Sequence, residues 1–214
     1  MTDKAAPVRA PAPPSAPAAA KRPSRWMLWL VLAVCVAPFA GSLALYHFSP
    51  PDARMNYGEL TEPRPLPDAP LRRLDGTPFN LADMRGRWIM LHADVGACEA
   101  ACRDKLYKMR QVRRTTGKDM DRIERIWLVT DDAPVDAALL QEHEGLVPVR
   151  AAGSAMLREV FAARPPGAPA TALVSEPIWL VDPLGNLMLR WPAQADPSRM
   201  KKDIARLLRV SRIG

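Results

Sequence analysis

Trp88-Ile89-Met90-Leu91-His92-Ala93-Asp94-Val95-Gly96-Ala97-Cys98-Glu99-Ala100-Ala101-Cys102 decides the reading of this chain. It starts as an apolar strand, from Trp88 to about Ala93, and ends at two cysteines four residues apart that open a helical pattern. One helical turn brings positions i and i+4 together, inside the Cα separation of roughly 4.4–6.8 Å that a disulfide accepts. The pair Cys98 and Cys102 can therefore close a disulfide or hold a soft metal. Both uses gain from a helix N-terminus, whose backbone N–H groups favour a thiolate. The plain alternative is two buried small side chains, or an inert structural clip.

Downstream the pattern alternates. Leu106, Met109 and Val112 continue the helix after Cys102. Ile126-Trp127-Leu128-Val129 is a second buried strand, Val135 to Glu144 a helix, Val147 to Arg150 a short strand, and Ser154 to Phe161 another helix. Ile178–Val181 and Leu187–Arg190 flank Asp182-Pro183-Leu184-Gly185-Asn186, which predicts a hairpin. The last helix starts at Asp196-Pro197 and lines up Met200, Ile204, Leu207 and Leu208. Upstream, Gly76-Thr77-Pro78-Phe79-Asn80-Leu81 reads as a turn and a short strand. Strands alternating with helices imply an α/β domain over residues 71–214, with a mixed sheet covered on both faces.

Before this domain lie three other kinds of chain. Residues 47–70 hold Pro50, Pro51, Pro63, Pro65, Pro67 and Pro70 and read as a Pro-rich spacer. Residues 26–46 carry no charge, long enough for one transmembrane helix. Residues 1–25 are rich in Ala and Pro, with Lys4, Arg9, Lys21, Arg22 and Arg25 against Asp3, and read as a disordered tail. By the positive-inside rule this tail is cytoplasmic and the C-terminal domain lies outside the cytoplasm, which for an inner-membrane anchor is the periplasm. A cleaved signal peptide is the rival, but its apolar region would be too long.

The formal net charge is +7, from 30 basic and 23 acidic residues. Outside the tail, 25 basic face 22 acidic residues, a net of +3, and no aromatic-interleaved basic patch points to nucleic acid. Cys35 lies in the span and cannot reach the other two cysteines, which leaves one pair in a compartment where disulfides persist.

The order of these motifs resembles the thioredoxin-like superfamily, and within it the Sco/SenC proteins of cytochrome c oxidase maturation. The stretches that carry the likeness are Gly76–Leu81 with Gly86-Arg87-Trp88, the CxxxC of Cys98 and Cys102, Ile126-Trp127-Leu128-Val129-Thr130-Asp131-Asp132, Leu180–Gly185, and the single N-terminal anchor. The resemblance implies a thioredoxin-like fold, membrane attachment, an oxidase subunit as partner, and copper held by Cys98 and Cys102. One departure matters. The resemblance implies a distal histidine before the late hairpin, where this chain reads Ala172-Leu173-Val174-Ser175-Glu176-Pro177-Ile178. Glu99 and Arg103 also stand where the family's prolines flank the cysteines.

Two histidines are candidate substitutes. His92, on the strand six residues before Cys98, is a core residue or, less often, a ligand or proton partner. His143, among Gln141, Glu142 and Glu144, reads as a solvated surface residue. The superfamily resemblance implies a cis proline at Pro177, guiding substrate toward the dithiol; a trans proline starting an edge strand is the alternative. If the pair is redox-active, Cys98 is the expected attacking thiol, being nearer the helix start and more exposed, and Cys102 resolves the mixed disulfide. The basic run Arg103, Lys105, Lys108, Arg110, Arg113 and Arg114 is either a solvated helix face or a docking surface for an acidic partner or anionic lipid. Asp131-Asp132 before Ala133-Pro134 reads as a loop and helix cap.

Three functions compete. The first is a dithiol reductant or Cu(I) carrier for an oxidase subunit. The second is a general extracytoplasmic thiol–disulfide oxidoreductase. The third is a membrane-tethered scaffold whose disulfide is structural.

Overall fold

A computed structural model describes residues 25–48, 56–164, 167 and 176–211. The chain divides into two units, residues 1–53 and 54–214. The tail before Arg25 and residues 172–175, within the stretch where the resemblance implies a distal histidine, lie outside the described residues.

Among its described residues the first unit holds one helix, α1 (Arg25–Phe48), with Pro38 inside it. Its stretch Arg25–Leu45 is long and apolar enough to cross a membrane, which agrees with the span expected over 26–46. Cys35 sits there as an exposed free thiol.

The second unit holds an eight-stranded mixed sheet. Its strands are β1 (Glu59–Pro65), β2 (Leu71–Arg73), β3 (Pro78–Phe79), β4 (Trp88–Asp94), β5 (Ile123–Val129), β6 (Leu146–Arg150), β7 (Ile178–Val181) and β8 (Asn186–Trp191). Their order is β1-β8-β7-β4-β5-β6-β2-β3. β4, β5 and β6 run parallel, and β7 turns antiparallel against β4. The helices are α2 (Ala100–Thr115), α3 (Ala137–Glu142), α4 (Ala155–Ala162) and α5 (Pro197–Val210). The architecture is the α/β domain with a mixed sheet covered on both faces that the sequence predicts, as the thioredoxin-like resemblance implies.

Both faces of the sheet are covered, so the central strands are apolar on both sides. One face packs Leu106, Met109 and Val112 of α2 and Met200, Ile204 and Leu208 of α5 against Trp88, Met90 and Trp127. The other packs Met156, Leu157 and Val160 of α4 against Ile89, Leu91 and Leu128. Full burial of each such aliphatic side chain contributes about 1.5–3 kcal/mol. Strand parity then assigns faces. Trp88 and Met90 look toward α2, so His92 and Asp94, at the same parity on β4, look there too.

The stretch read as a spacer ends in the fold. Residues 59–65 form the edge strand β1 on β8, and Leu66 is buried. Pro63 and Pro65 disguise it. An outer strand tolerates prolines because half of its N–H groups face away from the sheet. The buried Asp203 of α5 holds the entry: its carboxylate accepts from the N–H groups of Tyr57 (2.9 Å) and Gly58 (2.8 Å) and from Trp191 Nε1 (2.9 Å). A Cβ on Gly58 would lie 2.5 Å from Leu189. Residues 49–55 of the same spacer lie outside the described ones.

Candidate functional site

β4 and α2 meet at the carboxyl end of the parallel strands, and the loop between them carries Cys98. Cys98 and Cys102 are joined by a disulfide, with a Cα–Cα distance of 5.0 Å. Cys98 lies just before the helix with φ at +42°, in the left-handed region that costs an L side chain free energy. Cys102 lies in the first turn of α2. The loop is clamped from three sides. Gly96 N donates to Asp131 Oδ1 (2.8 Å), and a Cβ on Gly96 would stand 2.6 Å from the Ala133 carbonyl oxygen. Arg103 Nε donates to the Cys98 carbonyl (3.1 Å) while its Nη2 reaches Asp136 Oδ2 (3.1 Å).

Several expectations need correction here. Cys98 is not the more exposed thiol; the two cysteines are 1% and 2% exposed, because the 95–99 loop folds them against the α2-side core. Asp131 braces Gly96 instead of capping a helix, and α3 starts later, at Ala137, capped by Asp136 through Ala138 N (2.9 Å). The basic run is no uniform solvated face: Lys105 is completely buried and Lys108 nearly so, because both lie on the sheet-facing side of α2.

Behind the disulfide is a buried polar cluster. One donor atom from each of His92, Asp94 and Cys102 lies within 4.8 Å of the others. Asp94 Oδ2 is 3.3 Å from Lys105 Nζ and 3.4 Å from His92 Nε2, and its Oδ1 accepts from Val95 N (2.9 Å). Lys105 Nζ also lies 3.4 Å from the Glu176 carbonyl oxygen. Neither ring nitrogen of His92 makes a well-aligned hydrogen bond.

The charges of this cluster follow from burial and partners. Burial drives His92 down to about 4, against the pull of Asp94, so the imidazole is neutral at pH 7. Burial opposes the charge on Asp94, yet His92, Lys105 and the Val95 N–H outweigh it and hold the carboxyl below its ordinary value. Burial lowers Lys105, with Asp94 and Glu176 opposing. Burial raises Glu176, against Trp179 and Arg164. A sulfur beside a neutral imidazole can present sulfur and nitrogen donors to a soft cation, while the Asp94–Lys105 pair sets the charge behind it.

Two further predicted residues sit differently from expectation. Pro177 is buried ahead of β7, which is an interior strand, and no cis peptide occurs among the described residues; the Glu176–Pro177 bond is trans. The cis proline implied by the superfamily is therefore absent, although the Glu176 carbonyl still reaches the site through Lys105. His143 is buried, not solvated: it follows the six-residue α3, where its backbone N–H closes the helix on Leu139 and Leu140 and its ring turns inward. Sequence reasoning missed Asp94 and Lys105. The available signal was parity: Asp94 is two residues after His92, and Lys105 is three after Cys102.

Comparison with known proteins matches this architecture. The family described as "Transmembrane-like, thioredoxin-like, C-terminal domain" matches residues 88–211. Among solved structures, apo Sco1 of Thermus thermophilus is 18% identical, over 73% of this chain and 99% of that one, with a TM-score of 0.56. Yeast Sco1 with copper bound is 14% identical, over 71% and 96%, with a TM-score of 0.55. A SCO1/SenC family lipoprotein from Bacillus anthracis is 16% identical, over 70% and 99%, with a TM-score of 0.51. At these identities the likeness is one of fold. A search of curated proteins finds no match.

Proposed function

We propose a function for a chain that belongs to the transmembrane-like, thioredoxin-like, C-terminal domain family: it is a membrane-anchored thiol–disulfide reductant that works through Cys98 and Cys102. The domain stands on the periplasmic side of the inner membrane, and its client is the cysteine pair of a cytochrome c oxidase subunit awaiting copper. The likeness to Sco proteins suggests that client. The observation that carries the chemistry is the buried His92–Asp94–Cys102 cluster, held against Lys105.

In the reduced protein, the Cys98 thiolate attacks the client disulfide and expels one client thiolate. Cys102 then attacks Cys98 of the mixed disulfide, releases the second client thiolate and closes the Cys98–Cys102 bond. Two electrons pass to the client. Cys102 takes the resolving role because it lies in the first turn of α2 with the polar cluster beside it, whereas Cys98 lies in the loop ahead of the helix. An inert clip has no use for an ion pair buried behind it, and such a pair is expensive to desolvate.

A second reading is favoured by His92. Its ring is neutral at pH 7, lacks a well-aligned hydrogen bond, and lies beside Cys102. Two thiolates and an imidazole suit Cu(I) as cargo, with Cys98, Cys102 and His92 as its ligands in place of a distal histidine.

One experiment separates these readings. The reduced full chain in detergent micelles, with Cys35 replaced by serine throughout, is mixed with glutathione disulfide, and released glutathione and protein disulfide are followed separately with time. Reduction is expected in the wild type and absent in Cys98→Ser; in Cys102→Ser it stops at a trapped mixed disulfide. A parallel Cu(I) titration supports the cargo reading if one-to-one binding is lost in both serine variants and weakened in His92→Asn. A disulfide that reducing agents open only when the domain unfolds would sink both and leave a structural clip.

A further inference from the structure

At the far end of α2 from the cysteines, four arginines meet over a cleft of about 380 Å³. Arg110, Arg113 and Arg114 come from the last turns of α2, and Arg125 from the middle of β5; Glu142 and Glu144 line the opposite side. Arg125 occupies a core position. Its neighbours at the same parity, Ile123 and Trp127, pack into the α2-side core, yet here the strand carries a guanidinium that is 2% exposed.

That guanidinium is only partly satisfied. Arg125 Nη2 donates to the Glu144 carbonyl, while Nε and Nη1 have no partner among the described residues. Arg110 spends its two terminal nitrogens on Glu142 and leaves Nε without a partner. Arg113 donates to the Ile123 carbonyl (2.7 Å) and reaches the exposed Asp121 only at 3.9 Å. Glu124 is engaged by Arg87. Burial, then Arg113 and Arg110, pull Arg125 down to about 10, which describes a cation facing cations. A buried charge without a counter-charge is a costly arrangement.

We propose that this cleft binds an oxyanion of the phosphate class, with Arg125 as the buried anchor and Arg114 as the exposed contact at the rim. The guanidinium fork matches phosphate oxygens in pairs. Four such groups against two carboxylates, one of them already paired, call for a ligand with more than one negative charge or several acceptor oxygens. The cleft is larger than one phosphate needs and falls in the size range of small-molecule sites, so it has room for whatever carries the phosphate. The carrier is a soluble phosphate compound or a phospholipid head group, and the two share this chemistry.

The test uses the full chain. In neutral detergent micelles at fixed ionic strength, pyrophosphate is titrated calorimetrically and its effect on the melting temperature is recorded. In parallel, the chain is melted in phosphatidylcholine nanodiscs with and without phosphatidylglycerol. The expected result is saturable one-to-one binding of pyrophosphate, or a phosphatidylglycerol-dependent rise in melting temperature; the first assigns a soluble ligand and the second a lipid. Either effect should weaken about tenfold or more in Arg125→Met and in Arg114→Gln. Arg125→Met should also raise the melting temperature without any anion, since it removes an uncompensated buried charge, whereas loss of a merely structural arginine would lower it. Arg114 is exposed, so Arg114→Gln reports on binding even if Arg125→Met folds poorly. The proposal is overturned if neither probe affects the wild type more than it affects the two variants.

Discussion

His92 fixes a measurable pH dependence of stability. Its imidazole is fully buried on β4 and its folded pKa is pushed down to about 4, first by burial, against about 6.5 in an unfolded chain. For a base with a depressed folded pKa, the unfolded state binds more protons between these two values. Stability therefore rises with pH through that window, is complete above about pH 6.5, and is lost as pH falls toward 4. Integrating one site with these two constants gives a loss of about 2.5 kcal/mol between pH 7.5 and pH 4.5. The assay is urea unfolding of the full chain in detergent micelles, followed by tryptophan fluorescence at both pH values, for the wild type and for His92→Gln. Glu176 and His143 also have shifted pKa values and titrate in both proteins, whereas Asp94 is held down partly by His92, so the difference between the two pH responses reports the coupled His92–Asp94 pair. Glutamine cannot gain the proton, and its response should be shallower by about 2.5 kcal/mol. Equal losses in the two proteins would show that His92 is not held neutral, and the electrostatic picture of the site would fail with it.

Two further substitutions probe how the site is held. Gly96→Ala drives a Cβ to within 2.6 Å of the Ala133 carbonyl oxygen, so the backbone must shift, at a cost of about 1–3 kcal/mol; the loosened loop should make Cys98–Cys102 reducible faster by dithiothreitol, and an unchanged rate would mean that the clamp does not guard the disulfide. Asp203→Asn keeps the size but turns a donor toward Tyr57 N, Gly58 N or Trp191 Nε1, which Asp203 now accepts from at 2.8–2.9 Å; a destabilisation of about 3 kcal/mol, with faster hydrogen exchange along β1, is expected, and exchange that stays slow at Leu60 would show that β1 is held by its pairing with β8 alone.

Where the sequence was legible, one local signal controlled the outcome. The apolar runs at 88–91, 126–129 and 178–181 fall in strands, because a strand covered on both faces reads as continuous hydrophobicity. The hairpin at Asp182–Asn186 was visible because its Asp, Pro and Gly are turn formers, and Gly185 does adopt φ +93°. Asp196-Pro197 did start α5, with Asp196 accepting from Ser198 N (2.7 Å). Where two signals conflicted, the tertiary one prevailed. Prolines at 63 and 65 argued for a spacer, but the free edge of β8 and the acceptor oxygens of Asp203 make a strand there. Polar neighbours argued for an exposed His143, but as the residue that closes α3 it is buried.

The site itself was half legible, and the missing half is a matter of which side chains share a face. The CxxxC spacing announces itself along the chain, whereas the cluster behind it depends on register between elements. β4 places His92 and Asp94 toward α2, β5 places Arg125 toward the same helix, and α2 crosses both. One helix thus serves two chemistries along its length. Its first turns bring Cys102 and Lys105 to a carboxylate and an imidazole. Its last turns bring Arg110, Arg113 and Arg114 to a buried guanidinium. Read as a string, the basic residues of α2 form a single run. In the fold they separate by angle and by height: Arg103 braces the Cys98 carbonyl, Lys105 neutralises Asp94 behind the disulfide, Lys108 donates to the Ala193 carbonyl at 2.9 Å, and Arg110, Arg113 and Arg114 line the arginine cleft. Charge count alone could not sort these roles, because the partners that sort them lie on other elements of the fold.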